Sequence, residues 1–155
     1  MASTPASVST FLQGHRLAVA GVSRQPGQPA NAIFRRLRET GHEVFPINPH
    51  ASVVEGTRCY HDVAEVPQPL DGVVIVTSPQ TSADVVRQCA EAHVPRVWFH
   101  RSFGSGSVSD DAVRACAALG IEAIVGGCPL MFCGSVDGAH KCMRWWLQWR
   151  QRVPR

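Results

Sequence analysis

Val73-Val74-Ile75-Val76-Thr77-Ser78-Pro79 sets four β-branched apolar residues in a row and ends them on two hydroxyls and a proline. An unbroken apolar run of this length reads as a strand buried on both faces, the environment of a parallel sheet rather than of an alternating antiparallel one. Thr81 to His93 follows as a helix with Val85, Val86, Cys89 and Ala90 facing inward. Upstream, Leu17-Ala18-Val19-Ala20-Gly21 is a second short apolar run. After a Gly/Pro/Gln loop, Ile33, Phe34 and Leu37 mark the inner face of a helix that carries Arg35, Arg36 and Arg38 outside and stops at Gly41. His42 to Ile47 is the next strand. Between it and Val73 the chain is less regular, with Glu55 to Tyr60 as a short edge strand and His61 to Val66 as a short helix. Downstream, Arg96 to Phe99 and Ile121 to Val125 are strands. They flank a helix over Ser109 to Leu119, with Ser109 as N-cap, Asp110 and Asp111 in the first turn and Gly120 at the end.

Strands alternating with helices through short loops predict an α/β fold: a Rossmann-like, doubly wound parallel sheet of five or six strands in a single domain. Residues 1–13 read as a mobile N-terminal segment, with one helical turn around Val8 to Leu12. Residues 14–135 form the domain, and 136–155 a Trp-rich C-terminal helix (Val136 to Arg150) packed on it.

At 155 residues, 45% apolar and 17% charged, the chain is long enough and apolar enough to bury its own core. No stretch approaches the ~18 apolar residues of a membrane span. The first residues lack the charged and apolar regions of a signal peptide. Cytoplasmic location is expected, without a membrane partner. Six cysteines without a CxxC are then free thiols. The net charge of +3 suits an anionic ligand but does not argue for nucleic acid.

In an open parallel sheet, ligands bind beyond the carboxyl ends of the strands. That rule selects Gly21-Val22-Ser23-Arg24, Ile47-Asn48-Pro49-His50, Thr77-Ser78-Pro79-Gln80, His100-Arg101-Ser102 and Gly126-Gly127-Cys128-Pro129. The first leads into a helix near Ala30, where Pro29 sacrifices no hydrogen bond and free N–H groups could hold a phosphate. Gly21 would let the backbone approach it closely. The loop lacks the GxGxxG spacing, and the second strand ends on Asn48 rather than on the carboxylate that grips an NAD ribose. Arg24 and His50 instead suit a phosphorylated ribose, as in NADP or in the 3′-phosphate of coenzyme A.

These segments together resemble the small CoA-binding proteins related to the CoA-binding domains of succinyl-CoA synthetase α and of ADP-forming acyl-CoA synthetases. The resemblance rests on Val19 to Ser23, Val44 to Pro49, Gly56 with Tyr60, Val73 to Pro79, and Gly127-Cys128-Pro129, and covers about residues 14–135. It implies that Gly21, Val22, Ser23 and Arg24, with Ala30 and Asn31, face a diphosphate. Asn48, Pro49 and His50 would lie by the adenosine and 3′-phosphate, and Thr77, Ser78 and Pro79 along the adenine and pantetheine. Relatives often have Lys or Arg in place of His50 and a hydroxyl in place of Ala30; losing a permanent charge and a donor would weaken phosphate binding or make it pH-dependent. The resemblance does not reach the domain through which the synthetases phosphorylate a histidine, so it implies no ligase activity.

Other features are open to simpler readings. Cys128 could meet a pantetheine thiol, but no activating base is identifiable and a buried inert thiol is expected. Cys128, Cys133, His140 and Cys142 do not have the spacing of a zinc site. Met143, Trp145, Trp146 and Trp149 could form a membrane or partner surface, yet docking on the sheet accounts for them, with Lys141, Arg144, Arg150 and Arg152 solvated. The loop from His100 to Ser107 could close on a ligand, with Arg101 as an anion contact. No catalytic residue is discernible. The expected function is binding of coenzyme A or an acyl-CoA as a carrier, sensor or regulator. The alternatives are an NADP-dependent oxidoreductase or other nucleotide-binding enzyme, and a basic interaction protein acting through the C-terminal helix. A homodimer or a protein partner stays open.

Overall fold

The computed structural model describes residues 4–101, 105–134 and 138–150. Its elements, in chain order, are α1 (Ala6–Gln13), β1 (Arg16–Ala20), α2 (Pro29–Glu39), β2 (Glu43–Ile47), β3 (Val53–Val54) and β4 (Thr57–Arg58). They continue with β5 (Gly72–Ile75), α3 (Pro79–Glu91), β6 (Arg96–Phe99), α4 (Asp110–Leu119), β7 (Glu122–Val125), a short 3-10 turn (Pro129–Met131) and α5 (Gly138–Trp149).

Five strands form one parallel sheet in the order β2-β1-β5-β6-β7. Successive side chains alternate faces. Leu17, Val19, Val74, Trp98 and Ile124 pack on one side, under α1, α2 and the 3-10 turn. Ala18, Ala20, Val73, Ile75, Val97 and Phe99 pack on the other, under α3 and α4. Both faces are covered, which is why the strands read as continuous apolar runs. The fold is the doubly wound α/β architecture expected, with five strands in the main sheet.

Three local differences have physical causes. The segment read as a mobile start contains the two-turn helix α1, longer than the single turn expected. Its Val8 and Phe11 are buried, and Phe11 meets Trp98 edge-to-face, ring centroids 5.5 Å apart. A Cβ at Gly72 would lie 2.6 Å from the Phe11 ring, so the glycine at the start of β5 makes room for this helix.

The edge strand expected over Glu55 to Tyr60 does not join the sheet. β3 and β4 instead form a separate antiparallel hairpin. Its turn, Glu55-Gly56, has both φ angles positive (48° and 69°), the geometry of a tight two-residue connection. Tyr60, beyond the hairpin, joins the main sheet through a parallel bridge to Ile47. His61 to Val66 forms turns rather than a helix: the Glu65 carboxylate accepts from the His61 N–H, and Asp62 Oδ1 accepts from the Glu65 N–H. These side-chain acceptors compete with helical pairing.

Residues 1–3, Ser102 to Gly104 in the loop after β6, the expected helix start at Val136, and Arg152 all lie outside the described residues.

Candidate functional site

β1 and β5 are neighbours, but their following helices, α2 and α3, cover opposite faces. The chains therefore diverge beyond Ala20 and Ile75, and a cleft opens between them, as expected at a switch point. It encloses about 370 Å³ and is lined by Gly21, Ser23, Gln28, Pro29 and Ala30 after β1, Val76 to Ser78 after β5, and His100, Gly106 and Ser107 after β6.

Gly21 shapes the entrance. Its φ is +105°, and a Cβ there would stand 2.7 Å from the Val76 carbonyl oxygen. Only glycine lets the two diverging loops run this close without strain.

The loop after β1 is pinned from below. Asn31 is 1% exposed. Its Oδ1 accepts from the Ser23 N–H (2.9 Å), and its Nδ2 donates to the Ser23 carbonyl (2.8 Å) and to Glu55 Oε1 (2.7 Å). Glu55 also pairs with Arg35 at 2.7 Å. Asn48 Nδ2 donates to the Val22 carbonyl, and its Oδ1 accepts from the His50 N–H, both at 2.8 Å. The Val22 side chain is buried in the core under α2. Asn31 and Asn48 thus spend their amides on bracing the loop, and Val22 anchors it by burial.

The helix ends supply polarity. α2 starts at Gln28–Pro29 and α3 at Ser78–Pro79; neither has a side-chain cap nor an acidic residue in its first turn. Gln28, Pro29 and Ser78 line the cleft. Two helix N-termini without a side-chain cap or a first-turn acid therefore converge on it.

Cations surround the cleft rather than line it. Arg24, Pro49 and His50 are exposed on the adjoining loops. Arg101 is held by an antiparallel bridge to Gly127, its N–H donating to the Gly127 carbonyl at 2.9 Å. Its buried Nε has no hydrogen-bond partner among the described residues. Thr77 and Ser78 line the cleft, and Pro79 opens α3 beside it.

Sequence reasoning selected the segment containing His100 but not the residue itself. His100 is 9% exposed, and burial pushes its imidazole down to about 4, so it is a neutral wall at physiological pH. Ser107 Oγ lies 2.6 Å from the Ile75 carbonyl and 2.9 Å from that of His100, and Ser82 Oγ donates to the Ser107 carbonyl at 2.7 Å. These bonds fold the end of the β6–α4 loop into the cleft floor. Position after a strand was the available signal for His100. Ser107 carried none, because its distant partners, Ile75 and Ser82, come from β5 and α3.

Cys128 is buried at the turn after β7. Burial pushes Cys89 up to about 12 and Cys116 and Cys133 to about 11, leaving them protonated and unreactive at neutral pH. Among the described residues, no three His, Cys, Asp or Glu side chains gather closely enough to hold a metal, and no helix is long and apolar enough to cross a membrane.

Comparison with known proteins gives a consistent picture. Residues 15–133 match the family model described as a CoA binding domain. YneT of Bacillus subtilis, an uncharacterized protein, is 23% identical over 124 residues, covering 79% of this chain and 89% of its own. The α subunit of an ADP-forming acetate–CoA ligase II from Pyrococcus furiosus is 30% identical over 88 residues, which are 56% of this chain but 19% of the ligase subunit. The chain thus matches only a small part of that ligase's length, and 11% of the related Archaeoglobus fulgidus ligase. Among solved structures, a hypothetical protein from Pyrococcus horikoshii superposes with a TM-score of 0.74 at 23% identity, covering 83% of this chain and 93% of its own.

Proposed function

The chain belongs to the CoA-binding domain family, and we propose that it acts in the cytoplasm as a stand-alone module that binds coenzyme A or an acyl-CoA, as a carrier, sensor or regulator. The observation that carries this reading is the cleft where two uncapped, acid-free helix ends meet, within the residues matched by the family.

A diphosphate suits such a place. Helix N–H groups and poles favour its charge, and Gly21 lets the loops after β1 and β5 run close enough together to bring both helix ends to it. Arg101, held by its bridge to Gly127 on the loop that also supplies His100 and Ser107, is the proposed further anion contact. Arg24 and His50, on the exposed flanking loops, are the natural partners for a 3′-phosphate. In this reading Gly21, Ser23, Ala30, Thr77 and Ser78 contact the ligand, while Asn31 and Asn48 position the loop that holds it. Val22 acts through its backbone, and Pro49 and Pro79 set the loop directions. Among the described residues that line the cleft, His100 is the one with a titratable side chain, and burial suppresses its basicity. Binding is the role proposed for the site.

Thermal unfolding with coenzyme A, acetyl-CoA, NADP and NAD is the direct test. Ligand at ~100 times its dissociation constant adds ~2.7 kcal/mol. CoA is expected to raise the melting temperature and NAD to leave it unchanged. Equal shifts with CoA and NAD, or no shift with CoA, would refute the reading.

A further inference from the structure

Among the described residues, four large apolar side chains are exposed: Val53, Leu119, Trp145 and Trp149. Only the two tryptophans share an element. Trp145 is 71% and Trp149 72% exposed, one helical turn apart on α5. Lys141, also exposed, stands one turn before Trp145, and exposed Arg150 stacks on the rings of Trp146 and Trp149. Among the described residues, three on the other face of α5 turn toward the body of the protein. Met143 and Trp146 pack on the core, and Arg144 turns inward, over the Phe132 ring and toward the Met131 carbonyl. The helix therefore lies flat on the body, and Trp145 and Trp149 project outward together as a ridge.

The charge distribution is lopsided. From residue 138 to residue 155 the sequence has Lys141, Arg144, Arg150, Arg152 and Arg155, and no Asp or Glu. That stretch carries more positive charge than the chain's net +3, so the remainder is net acidic. A basic end on an otherwise acidic body is a feature of proteins that meet anionic surfaces.

We propose that the outward face of α5 docks on an anionic lipid surface, with Trp145 and Trp149 seated at the headgroup level and Lys141 and Arg150 on the phosphates. Tryptophan flanked by Lys or Arg on a helix lying in the plane is the composition of the bilayer interface. A convex ridge enters a soft headgroup layer without needing a matching groove. Pairing of two copies through this face would bring like charges together. The docking needs no membrane-spanning segment and is independent of the CoA reading.

The test is co-sedimentation of the full chain with phosphatidylcholine vesicles, with and without phosphatidylglycerol, alongside tryptophan emission. The expected result is pelleting with the anionic vesicles only, a blue shift of emission, and release by salt. Trp145→Ala/Trp149→Ala is expected to abolish pelleting and the blue shift. Lys141→Glu/Arg150→Glu should weaken partitioning on the order of tenfold or more. Both pairs of side chains are exposed, so an unchanged melting temperature checks that the variants fold. No pelleting with anionic vesicles, equal pelleting with neutral ones, or retention by the double Trp variant would overturn the proposal. So would dimerisation, or binding to an acidic protein or an oligonucleotide, through these tryptophans without vesicle binding.

Discussion

Three helices begin at the same edge of the sheet, and they begin differently. α4 satisfies its own N-terminus: Ser109 Oγ accepts from the Ala112 N–H at 3.0 Å, and Asp110 and Asp111 occupy the first turn. α2 and α3 have an extended N-cap residue, a proline at the first position, no side-chain cap and no acid. The self-satisfied helix follows β6, away from the point where the chain diverges. The two bare ones follow β1 and β5, which flank it. A helix pole neutralised internally contributes to stability, whereas one left open contributes to ligand binding. The contrast therefore separates residues that serve the fold from residues that serve the cleft.

The largest effect is expected from His100, whose burial keeps the cleft wall uncharged. Its folded-state value is about 4, against an ordinary value of 6.5. Above pH 6.5 the ring is neutral in both states and affects stability little. As pH falls from 6.5 toward 4, the unfolded chain takes up a proton that the native protein refuses, and stability is lost. The full loss is on the order of 3 kcal/mol. His100→Gln cannot titrate, so its unfolding free energy, measured in urea at stepped pH, should fall less over that window. Equal slopes for both proteins would mean that the imidazole is not suppressed.

Gly21→Ala tests the close approach of the two bare-ended loops. The alanine must adopt φ +105° with its Cβ against the Val76 carbonyl. A loss of about 1–3 kcal/mol is expected, together with loss of the CoA-induced thermal shift. A variant that keeps both stability and shift would show that the loops do not need this contact.

Gln28→Asp converts α2 into a copy of α4. Gln28 already has the extended backbone of an N-cap, at φ −79° and ψ 151°. An aspartate there would cap the helix and oppose its pole, adding about 0.5–1 kcal/mol of stability. It would also place a negative charge in the cleft. Calorimetry should then show CoA affinity falling about tenfold, a cost of ~1.4 kcal/mol. Stability and affinity moving in the same direction would break the distinction between the helix ends.

The parts of this arrangement that were legible in the sequence are those that depend on local pattern. The runs Leu17 to Ala20 and Val73 to Val76 betray strands covered on both faces, and the switch-point rule then selects Gly21, Thr77 and Ser78, which line the cleft. Ser109 with Asp110 and Asp111 announced α4's cap. Roles set by long-range partners were not legible. Asn31 and Asn48 look like ligand residues by position, yet their amides are engaged with Ser23, Glu55, Val22 and His50. Ser107 belongs to the floor only because the Ile75 carbonyl comes within reach of its hydroxyl. Phe11 looked like part of a loose end because its partners, Gly72 and Trp98, lie far along the chain.

The smallest effect should come from Ser109→Ala, which strips the cap from the helix used as the reference. Its hydroxyl accepts the Ala112 N–H at the start of α4. Removing an N-cap oxygen costs about 1 kcal/mol. For a chain of this size that lowers the melting temperature by roughly 2–4 °C. Asp110 and Asp111 remain, so the pole stays partly neutralised and the helix should persist. CoA binding should be unchanged, because Ser109 does not line the cleft and its carboxylate neighbours already screen this helix end. Melting curves with and without saturating CoA separate the two quantities: both curves should move down together, and the gap between them should stay constant. If the gap shrinks, α4's N-terminus contributes to the site, and three helix ends, rather than two, serve the ligand.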